Sequence, residues 1–390
     1  MSSNGYKMKG VWEMGSYPFA HVRNQFPILN QKIQLSSCSQ SALSLDVQAA
    51  VQEYMTSWQE QGMDWGGWMA AVEEARQHFA ALIHADIEEI AVVSSVSHAA
   101  SSIATSLNYS GDRNEIIITD MDFPCIGHVW LSQRDRGASV QFISSEKHQI
   151  PLESYENTIN EKTLLTSISH VAYYNGFKQD LKSIAEIAHQ RGSYLFVDAY
   201  QSAGNVSINV KESNVDFLAA GLQKYLLGIP GLAFLYIKKE VAEKLTPRLT
   251  GWFGQANPFA FDIKNSEYAS GARRFDSGTP PMINGFAAKA ALKQLLDIGM
   301  DKIEPYLKEL SQFTLDYAEE QGLTVLSPMN VEDKGSNTAI YIPNASEVEG
   351  LMKEKGVIVS ARQDVIRIAP HFYNTKEDIR QALDIMKEVM

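Results

Sequence analysis

Cysteine is scarce in this chain, which has only Cys38 and Cys125 among its 390 residues. So few thiols exclude a disulfide-stapled scaffold, and no spacing of cysteine and histidine is typical of a zinc site, so we expect no metal. Basic clusters are also missing, and the net charge is −12. Because a protein that neutralises phosphates needs clustered lysine and arginine, we expect no nucleic-acid partner.

Long apolar runs are missing too. No uninterrupted apolar stretch, early or late in the chain, approaches the roughly 18 residues typical of a membrane span or the shorter core of a signal peptide. We therefore expect a cytoplasmic protein without a membrane partner. What is present is ordinary globular composition, 45% hydrophobic and 21% charged, with length for one large domain and a smaller one.

Short apolar segments alternate with amphipathic stretches in the first two thirds of the chain. The strand candidates are Ile90–Ser94, Glu115–Thr119, Ser139–Ile143, Leu164–His170, Tyr194–Asp198, Val215–Ala219 and Leu232–Ile237. Helical periodicity occurs at 46–59 and 68–84, and again at Ala99–Leu107, Ile126–Arg136 and Leu181–Arg191. Strands that alternate with helices predict an α/β fold with a mostly parallel sheet covered on both faces.

The pattern changes after residue 240. A loop region from Leu249 to Pro281 and an amphipathic stretch from Asn284 to about Glu320 precede an α+β end. That end has strand candidates near Thr324 and at Ala339–Ile342, Val357–Val359 and Val365–Ile368, with helices at Ser346–Lys355 and Lys376–Met390. We predict an N-terminal segment (1–45) that packs with the small domain, a large domain (46–280) and a small C-terminal α+β domain (281–390).

Two residues at predicted strand ends carry the strongest chemical signal, because ligands of open α/β sheets bind outside the carboxyl ends of the strands. Asp198 ends an apolar strand, although a strand-end aspartate is equally typical of a turn cap. Lys224 lies between two apolar strands and is flanked by Gly221 and Gly228. An arbitrary lysine belongs on the surface, but these flanks favour a tight connection at the ligand edge of the sheet.

A lysine and a carboxylate at such positions suit pyridoxal 5'-phosphate (PLP). The aldehyde of this cofactor needs an amine, and its pyridinium nitrogen needs an acidic partner that keeps it protonated. A desolvated lysine also has a lowered pKa, which lets it act as a nucleophile and a base. Asp198 and Lys224 together predict a PLP enzyme.

Five ordered motifs extend this prediction over almost the whole chain. They are Asp198–Gly204 followed by Gln223-Lys224-Tyr225 and Gly228–Gly231; Asp122-Phe123-Pro124; Ser169-His170-Val171 with Gly176; Arg273–Pro280; and Arg367 with Tyr373-Asn374-Thr375. The set resembles the class V aminotransferase group of fold-type I PLP enzymes, which includes cysteine desulfurases, kynureninases and isopenicillin-epimerase-like proteins. The resemblance implies a large domain with a seven-stranded, mostly parallel sheet and a smaller α+β domain.

The resemblance also implies a role for each matching residue. Lys224 would form the Schiff base and move the proton at Cα, and Asp198 would pair with the pyridine nitrogen. Gln201 would bond the phenolic oxygen, and Phe123 would stack on the ring. Arg367 would clamp the substrate carboxylate through two-pronged hydrogen bonds, unless it is a surface arginine.

Further contacts follow from the same resemblance. The phosphate would lie at the helix start formed by Ser95, Val96 and Ser97, where Ser97 also fits an ordinary N-cap. Gly278 and Thr279 would reach the phosphate from a neighbouring subunit, which implies a homodimer with shared active sites.

Three more residues complete the expected site. Gln223 is expected beside the cofactor and Tyr173 beside the substrate. Trp252 is expected to line the site, although an aromatic core residue is equally typical at that position.

Departures from the group's pattern narrow the activity. Members often have Ser or Thr at the position of Gly221 and His at the position of Gln223. This chain must therefore bind the phosphate differently, and it has no histidine acid/base next to the lysine. A cysteine desulfurase takes sulfur onto a cysteine thiolate in a C-terminal loop, and no cysteine follows Cys125. We therefore do not expect a persulfide-forming desulfurase.

The expected function is a PLP-dependent aminotransferase that acts on an α-amino acid through a Lys224 Schiff base. The alternatives are a carbon–sulfur β-elimination lyase or a kynureninase-like lyase, and then an epimerase, because all begin by removing the Cα proton. A non-catalytic PLP-binding protein would keep the fold and lose the chemistry. The substrate side chain and the choice among these outcomes do not follow from the sequence.

Overall fold

The N-terminal part of the chain wraps onto later elements before the main fold begins. The structure, a computed structural model, describes residues 18–390. Of the predicted N-terminal segment 1–45, residues 1–17 therefore lie outside the described residues. The first elements are helix α1 (Ala20–Arg23), strand β1 (Ile33–Gln34) and the long helices α2 (Leu45–Gln61) and α3 (Trp65–Leu82). Polar caps begin the long helices: Ser44 Oγ accepts from the amide of Val47, and the Asp64 carboxylate accepts from the amide of Gly67.

A seven-stranded sheet forms the centre of the fold. Its strands are β2 (Ile90–Val93), β3 (Glu115–Thr119), β4 (Ser139–Ile143), β5 (Thr163–Ser169), β6 (Tyr194–Asp198), β7 (Phe217–Gly221) and β8 (Ala233–Ile237). Their order is β2-β8-β7-β6-β5-β3-β4, and only the pairings of β8 with β2 and β7 are antiparallel. The predicted seven-stranded, mostly parallel sheet is therefore confirmed.

The strands bury both faces, as a parallel sheet requires. In β6, Leu195 and Val197 belong to one buried cluster and Phe196 to a second, because successive side chains point to opposite faces. The connecting helices are α4 (Val96–Ser106), α5 (Pro124–Leu131), α6 (Leu152–Thr158), α7 (Leu181–Gln190), α8 (Val210–Ser213) and α9 (Lys239–Ala242). Strand β7 begins and ends two residues later than the predicted strand Val215–Ala219, because the buried residues extend beyond both of its ends and give no local signal for its limits.

The C-terminal part is α+β. Its elements are α10 (Met282–Ile298), α11 (Met300–Glu320), β9 (Thr338–Tyr341), α12 (Ala345–Glu354), β10 (Val357–Ile358), β11 (Ser360–Arg362), β12 (Val365–Ile368) and α13 (Lys376–Val389). Gly299, with a φ of 91°, separates α10 from α11 where the sequence predicted one stretch. The strand predicted near Thr324 is only an isolated bridge between Val325 and Ile340.

The N-terminal segment is anchored to the C-terminal part. Strand β1 pairs in parallel with β10, and the guanidinium of Arg23 forms an ion pair with Asp378 at 2.7 Å. Helix α10 packs against α2 and α3. The boundary proposed at residue 280 stays a prediction. Among residues 18–390, none of the helices is both long and apolar enough to span a bilayer.

One lysine of the C-terminal part is buried without an acid. The Nζ atom of Lys334 donates to Ser311 Oγ, to the carbonyl of Gly335 at 3.0 Å and to Thr338 Oγ1 at 3.0 Å. None of the ion pairs in the described part of the chain includes it. Burial lowers the pKa of Lys334 to about 7.

The lowered pKa of Lys334 predicts a pH-dependent stability. Between about pH 7 and pH 10 the unfolded chain keeps a proton that the folded chain has released, so the free energy of unfolding rises with pH, by at most about 1.4 kcal/mol per pH unit. We expect Lys334→Met to be more stable than wild type below pH 7 and to lose that advantage as the pH rises. Urea unfolding at several pH values measures this.

The matched control is Lys293→Met, which removes a lysine whose side chain is 60% exposed and paired with Asp297. It should leave the pH dependence as it is in the wild type. Parallel pH curves for wild type and Lys334→Met would contradict the assignment.

Candidate active site

The site lies at the carboxyl ends of two neighbouring parallel strands. Asp198 is the last residue of β6, and Lys224 follows three residues after the end of β7. Because β6 and β7 pair in parallel, with Asp198 beside Ala219, their ends meet at one edge of the sheet. The negative charge of Asp198 acts directly on the Lys224 amine. The structure therefore brings together the two residues on which the sequence prediction depends.

The Lys224 amine lies among aromatic rings. Its Nζ is 4.2 Å from the centroid of the Tyr200 ring and 5.6 Å from that of Phe123. Burial lowers the pKa of Lys224 to about 8, against the opposing effect of Asp198 and in the same direction as the charge of Arg367. Near neutral pH a usable fraction of the amine is therefore unprotonated and nucleophilic.

A strained turn holds the lysine. The amide of Leu227 donates to the carbonyl of Lys224 at 3.1 Å, and Leu227 has a φ of 62°. That left-handed conformation costs a non-glycine residue about 1–2 kcal/mol. Such strain is concentrated at functional sites, where the surrounding structure over-determines the backbone.

Asp198 is a buried acid with one carboxylate oxygen committed to the backbone. Its Oδ1 accepts from the amide of Tyr200 at 2.9 Å, and no hydrogen bond within residues 18–390 ends on Oδ2. Burial raises the pKa of Asp198, while the Tyr200 amide and the Lys224 charge lower it. The second oxygen is thus available to accept a hydrogen bond from a ligand.

Phe123 forms an open aromatic wall beside the amine, and Asp122 fixes its position. The Asp122 carboxylate accepts from the amide of Thr119 at 2.9 Å and from that of Ser169 at 2.6 Å, which ties β3 to β5. Burial raises the pKa of Asp122 to about 7. Phe123 is 37% exposed and packs at right angles to the Tyr173 ring, with 5.1 Å between the ring centroids, so part of its ring is accessible to a ligand.

Arg367 is a buried guanidinium, and the alternative of a surface arginine is wrong. It is 1% exposed and donates to the carbonyl of Tyr173 at 2.9 Å, to Ser360 Oγ at 2.7 Å and to Ser39 Oγ at 2.9 Å. All of these acceptors are neutral. Because a buried cation is stable only when its charge is compensated, this group suits an incoming carboxylate.

Residues 38–41, to which the sequence analysis assigned no role, also contact the site. The carbonyl of Cys38 accepts from Gln201 Nε2 at 2.9 Å, and the carbonyl of Ser39 accepts from Gln223 Nε2 at 3.3 Å. Ser41 in turn donates its amide to the Gln223 carbonyl at 3.1 Å. The side chains of Gln201 and Gln223 therefore hold residues 38–41 beside the turn that bears Lys224.

The start of α4 is the expected phosphate end of the site. Ser95 is the N-cap, and its Oγ accepts from the amide of His98 at 3.1 Å, so the prediction of Ser97 as the cap is wrong. Val96 and Ser97 lie in the first turn. Ser97 and the charges of Asp198 and Lys224 all influence the pKa of the Cys125 thiol, which indicates that the start of α4 lies near these two residues.

Three expected residues lie apart from this group in the described protomer. Trp252 packs in an aromatic cluster with Trp65 at 6.0 Å and Phe253 at 4.4 Å between ring centroids. Gly278 and Thr279 are exposed, and none of the hydrogen bonds within residues 18–390 joins them to α4 or to Lys224. Their contribution to a partner's site stays a prediction.

Buried polar atoms without a partner also bear on what this site can hold. His170 Nδ1 and Gln201 Oε1 are buried and have no hydrogen-bond partner among the described residues. Burial lowers the pKa of His170 to about 3, so its ring is neutral. Together with an amine of lowered pKa, a buried acid, an open aromatic face and a helix N-terminus, these atoms fit a ring that bears an aldehyde and a phosphate. The residues present therefore fit PLP.

Tyr200 explains one departure from the group's pattern. A Cβ atom at Gly221 would lie 2.3 Å from Cζ and 2.6 Å from Oη of the Tyr200 ring. The Tyr200 ring, which contacts the Lys224 amine, thus occupies the space that a serine or threonine at position 221 would need. Glycine at this position follows from the choice of tyrosine at position 200.

Comparisons with known proteins agree with this geometry. The sequence profile of the family Aminotransferase class-V matches residues 35–387. An uncharacterized aminotransferase, YcbU of Bacillus subtilis (strain 168), is 47% identical over 362 residues, which cover 93% of this chain and 95% of YcbU. A probable cysteine desulfurase of Halalkalibacterium halodurans is 31% identical over 92% of this chain and 94% of its own length.

A solved structure shows the same fold. The apo structure of a cysteine desulfurase from Thermococcus onnurineus NA1 superposes with a TM-score of 0.85 at 23% identity, covering 94% of this chain and 97% of the other. The predicted fold-type I architecture is confirmed.

The contact between Gly221 and Tyr200 predicts an energetic coupling. We expect Gly221→Ala to lower the free energy of unfolding by about 1–3 kcal/mol, because the new methyl group overlaps the tyrosine ring. In a Tyr200→Ala background the same change should cost less than half as much. Urea unfolding of the four proteins of this double-mutant cycle, without added cofactor, measures the coupling.

Gly350→Ala is the matched control, because a Cβ atom at that position in α12 meets no atom within 4 Å. It should be neutral or slightly stabilising, since alanine is the better helix former. An equal loss from Gly221→Ala in both backgrounds would show that Tyr200 is not the obstacle.

Proposed function

The chain belongs to the aminotransferase class-V family, and on that premise we propose that it is a PLP-dependent aminotransferase that acts on an α-amino acid at Lys224. The observation that carries the proposal is the Lys224 amine. Its pKa is lowered to about 8, and it lies between the charge of Asp198 and the open face of Phe123. When bound, PLP supplies an electron sink for the bonds at the substrate Cα.

Each residue of the site has a distinct task in this proposal. Lys224 Nζ attaches the cofactor and then moves the proton at the substrate Cα, for which a pKa near the working pH is optimal. Asp198 Oδ2 holds the proton on the ring nitrogen, and Phe123 stacks on the ring. Arg367 orients the substrate through its carboxylate, and Tyr173, whose carbonyl holds Arg367, lines the substrate side.

The remaining cofactor contacts follow the same plan. The first amides of α4, at Ser95, Val96 and Ser97, bind the phosphate, since a helix N-terminus favours an anion. Gln201 and Gln223 hold residues 38–41 through one hydrogen bond from each Nε2 atom. In this proposal, the side-chain amide atoms that these bonds leave unused contact the cofactor.

A second copy of the chain completes the site in this proposal. Gly278 and Thr279 are exposed on one protomer, so they are free to reach the phosphate of a partner. The protein then acts as a homodimer with shared active sites. An amino acid is its only other proposed partner, and a cytoplasmic location stays a prediction from the sequence.

A carbon–sulfur β-elimination lyase is the second candidate. The name of the Halalkalibacterium relative raises the question of sulfur chemistry. Burial raises the pKa of the Cys125 thiol, and Cys38 is 1% exposed, so neither cysteine offers the exposed thiolate that accepts sulfur in a desulfurase. β-Elimination needs no acceptor thiol in the chain and therefore fits these two cysteines better than a desulfurase does.

Product analysis tests the proposal. The PLP-loaded protein is incubated with a panel of amino acids and a 2-oxo acid as amino acceptor. We expect the 2-oxo acid of the donor to form without ammonia. Pyruvate with ammonia, or with sulfide from cysteine, would contradict transamination and support the lyase.

Two lysine variants complete the test. Lys224→Ala should lose the visible absorbance band of the bound cofactor and lower kcat by about 10²–10⁴-fold or more, because it removes both the attachment point and the acid/base group. Lys334→Met, which removes the other buried lysine of lowered pKa, should keep the band and the activity.

A further inference from the structure

A second arginine meets Arg367 at Ser39. Arg367 Nη2 donates to Ser39 Oγ at 2.9 Å, and Arg362 Nη2 approaches the same oxygen at 3.4 Å. Two guanidinium groups therefore converge on one neutral hydroxyl. This hydroxyl belongs to residues 38–41, which Gln201 and Gln223 tie to the turn that bears Lys224, so the pair borders the proposed site.

The hairpin of β11 and β12 builds this pair. Ser360 pairs with Arg367 and Arg362 pairs with Val365, so the side chains of Ser360, Arg362 and Arg367 share one face of the sheet. The hairpin tip is fastened by Tyr174, whose hydroxyl donates to Asp364 at 2.7 Å. The convergence thus follows from strand register and not from a chance rotamer.

Neither arginine has an acid partner. Within residues 18–390, no carboxylate lies within 4.0 Å of either guanidinium, and the other bond of Arg362 goes to the carbonyl of Ala361 at 2.7 Å. Glu349 lies nearby, but its Oε1 accepts from the amide of Ala361 at 3.1 Å. The pKa of Arg362 is lowered by burial and by the charge of Arg367, in spite of Glu349.

The two cations differ in depth. Arg367 is 1% exposed and its charge acts on the Lys224 amine, so it is the nearer group to the substrate Cα. Arg362 is exposed and lies two residues from Ser360 on the same face of the hairpin. In a chain with a net charge of −12, Arg362 and Arg367 thus form a local pair of cations, which favours the binding of an anion.

We propose that the substrate is an amino acid with a second anionic group, which Arg362 binds while Arg367 binds the α-carboxylate. This inference rests on the proposed function and adds a substrate class to it. The α-carboxylate and an acidic side chain of such a substrate would together complete the hydrogen bonds of the two guanidinium groups.

Steady-state kinetics with near-isosteric substrate pairs test the inference. kcat/KM is measured for aspartate against asparagine and for glutamate against glutamine, in wild type and in Arg362→Gln and Arg362→Lys. We expect wild type to favour the acid of at least one pair, and Arg362→Gln to lower that preference about 10- to 100-fold, mainly through KM. Arg362→Lys should restore part of it, because it keeps the charge.

The control is Arg380→Gln, which removes an exposed arginine of α13 that pairs with Glu377 and should leave the preference unchanged. A wild-type preference for the amides, or an equal loss on acids and amides in Arg362→Gln, would overturn the substrate class and leave the proposed function intact. If no amino acid is converted and none changes the visible spectrum of the loaded protein, the proposed function fails as well.

Discussion

The proposed chemistry depends on one interaction, the burial of the Lys224 amine beside the Asp198 carboxylate. Desolvation alone would leave a neutral amine, and the nearby carboxylate alone would leave a fully charged one. Because both act together, the pKa of Lys224 is lowered only to about 8. The amine is then poised both to attach a carbonyl compound and to carry a proton, and the parallel pairing of β6 with β7 fixes this arrangement.

Residues 38–41 join parts of the chain that are distant in sequence. Gln201 and Gln223 hold this segment from the central sheet, while Arg367 and Ser360 hold it from the C-terminal hairpin. The substrate groups and the cofactor groups are therefore positioned by one shared element. Any motion of the C-terminal part relative to the sheet would be transmitted to Ser39 and hence to both arginines.

The sequence predicted what depends on local pattern. Buried strands give apolar runs, so all seven strands were found, and parallel strand ends meet at one edge, so Asp198 and Lys224 were paired correctly. Contacts between residues far apart in sequence leave no local pattern. For that reason the sequence analysis did not include Ser39 or the second arginine, Arg362, among the site residues. Strand β11 is too short for a visible alternation, and the true cap of α4 is Ser95, because the helix begins earlier than its apolar run.

Covalent labelling tests the central claim most directly. The PLP-loaded protein is reduced with borohydride, which adds hydride to the carbon–nitrogen double bond between cofactor and amine, and the digested peptides are analysed by mass spectrometry. The account predicts about one label per chain, located on Lys224 and lost from that peptide in Lys224→Ala. A label spread over surface lysines, or concentrated on another buried lysine such as Lys334, would contradict it.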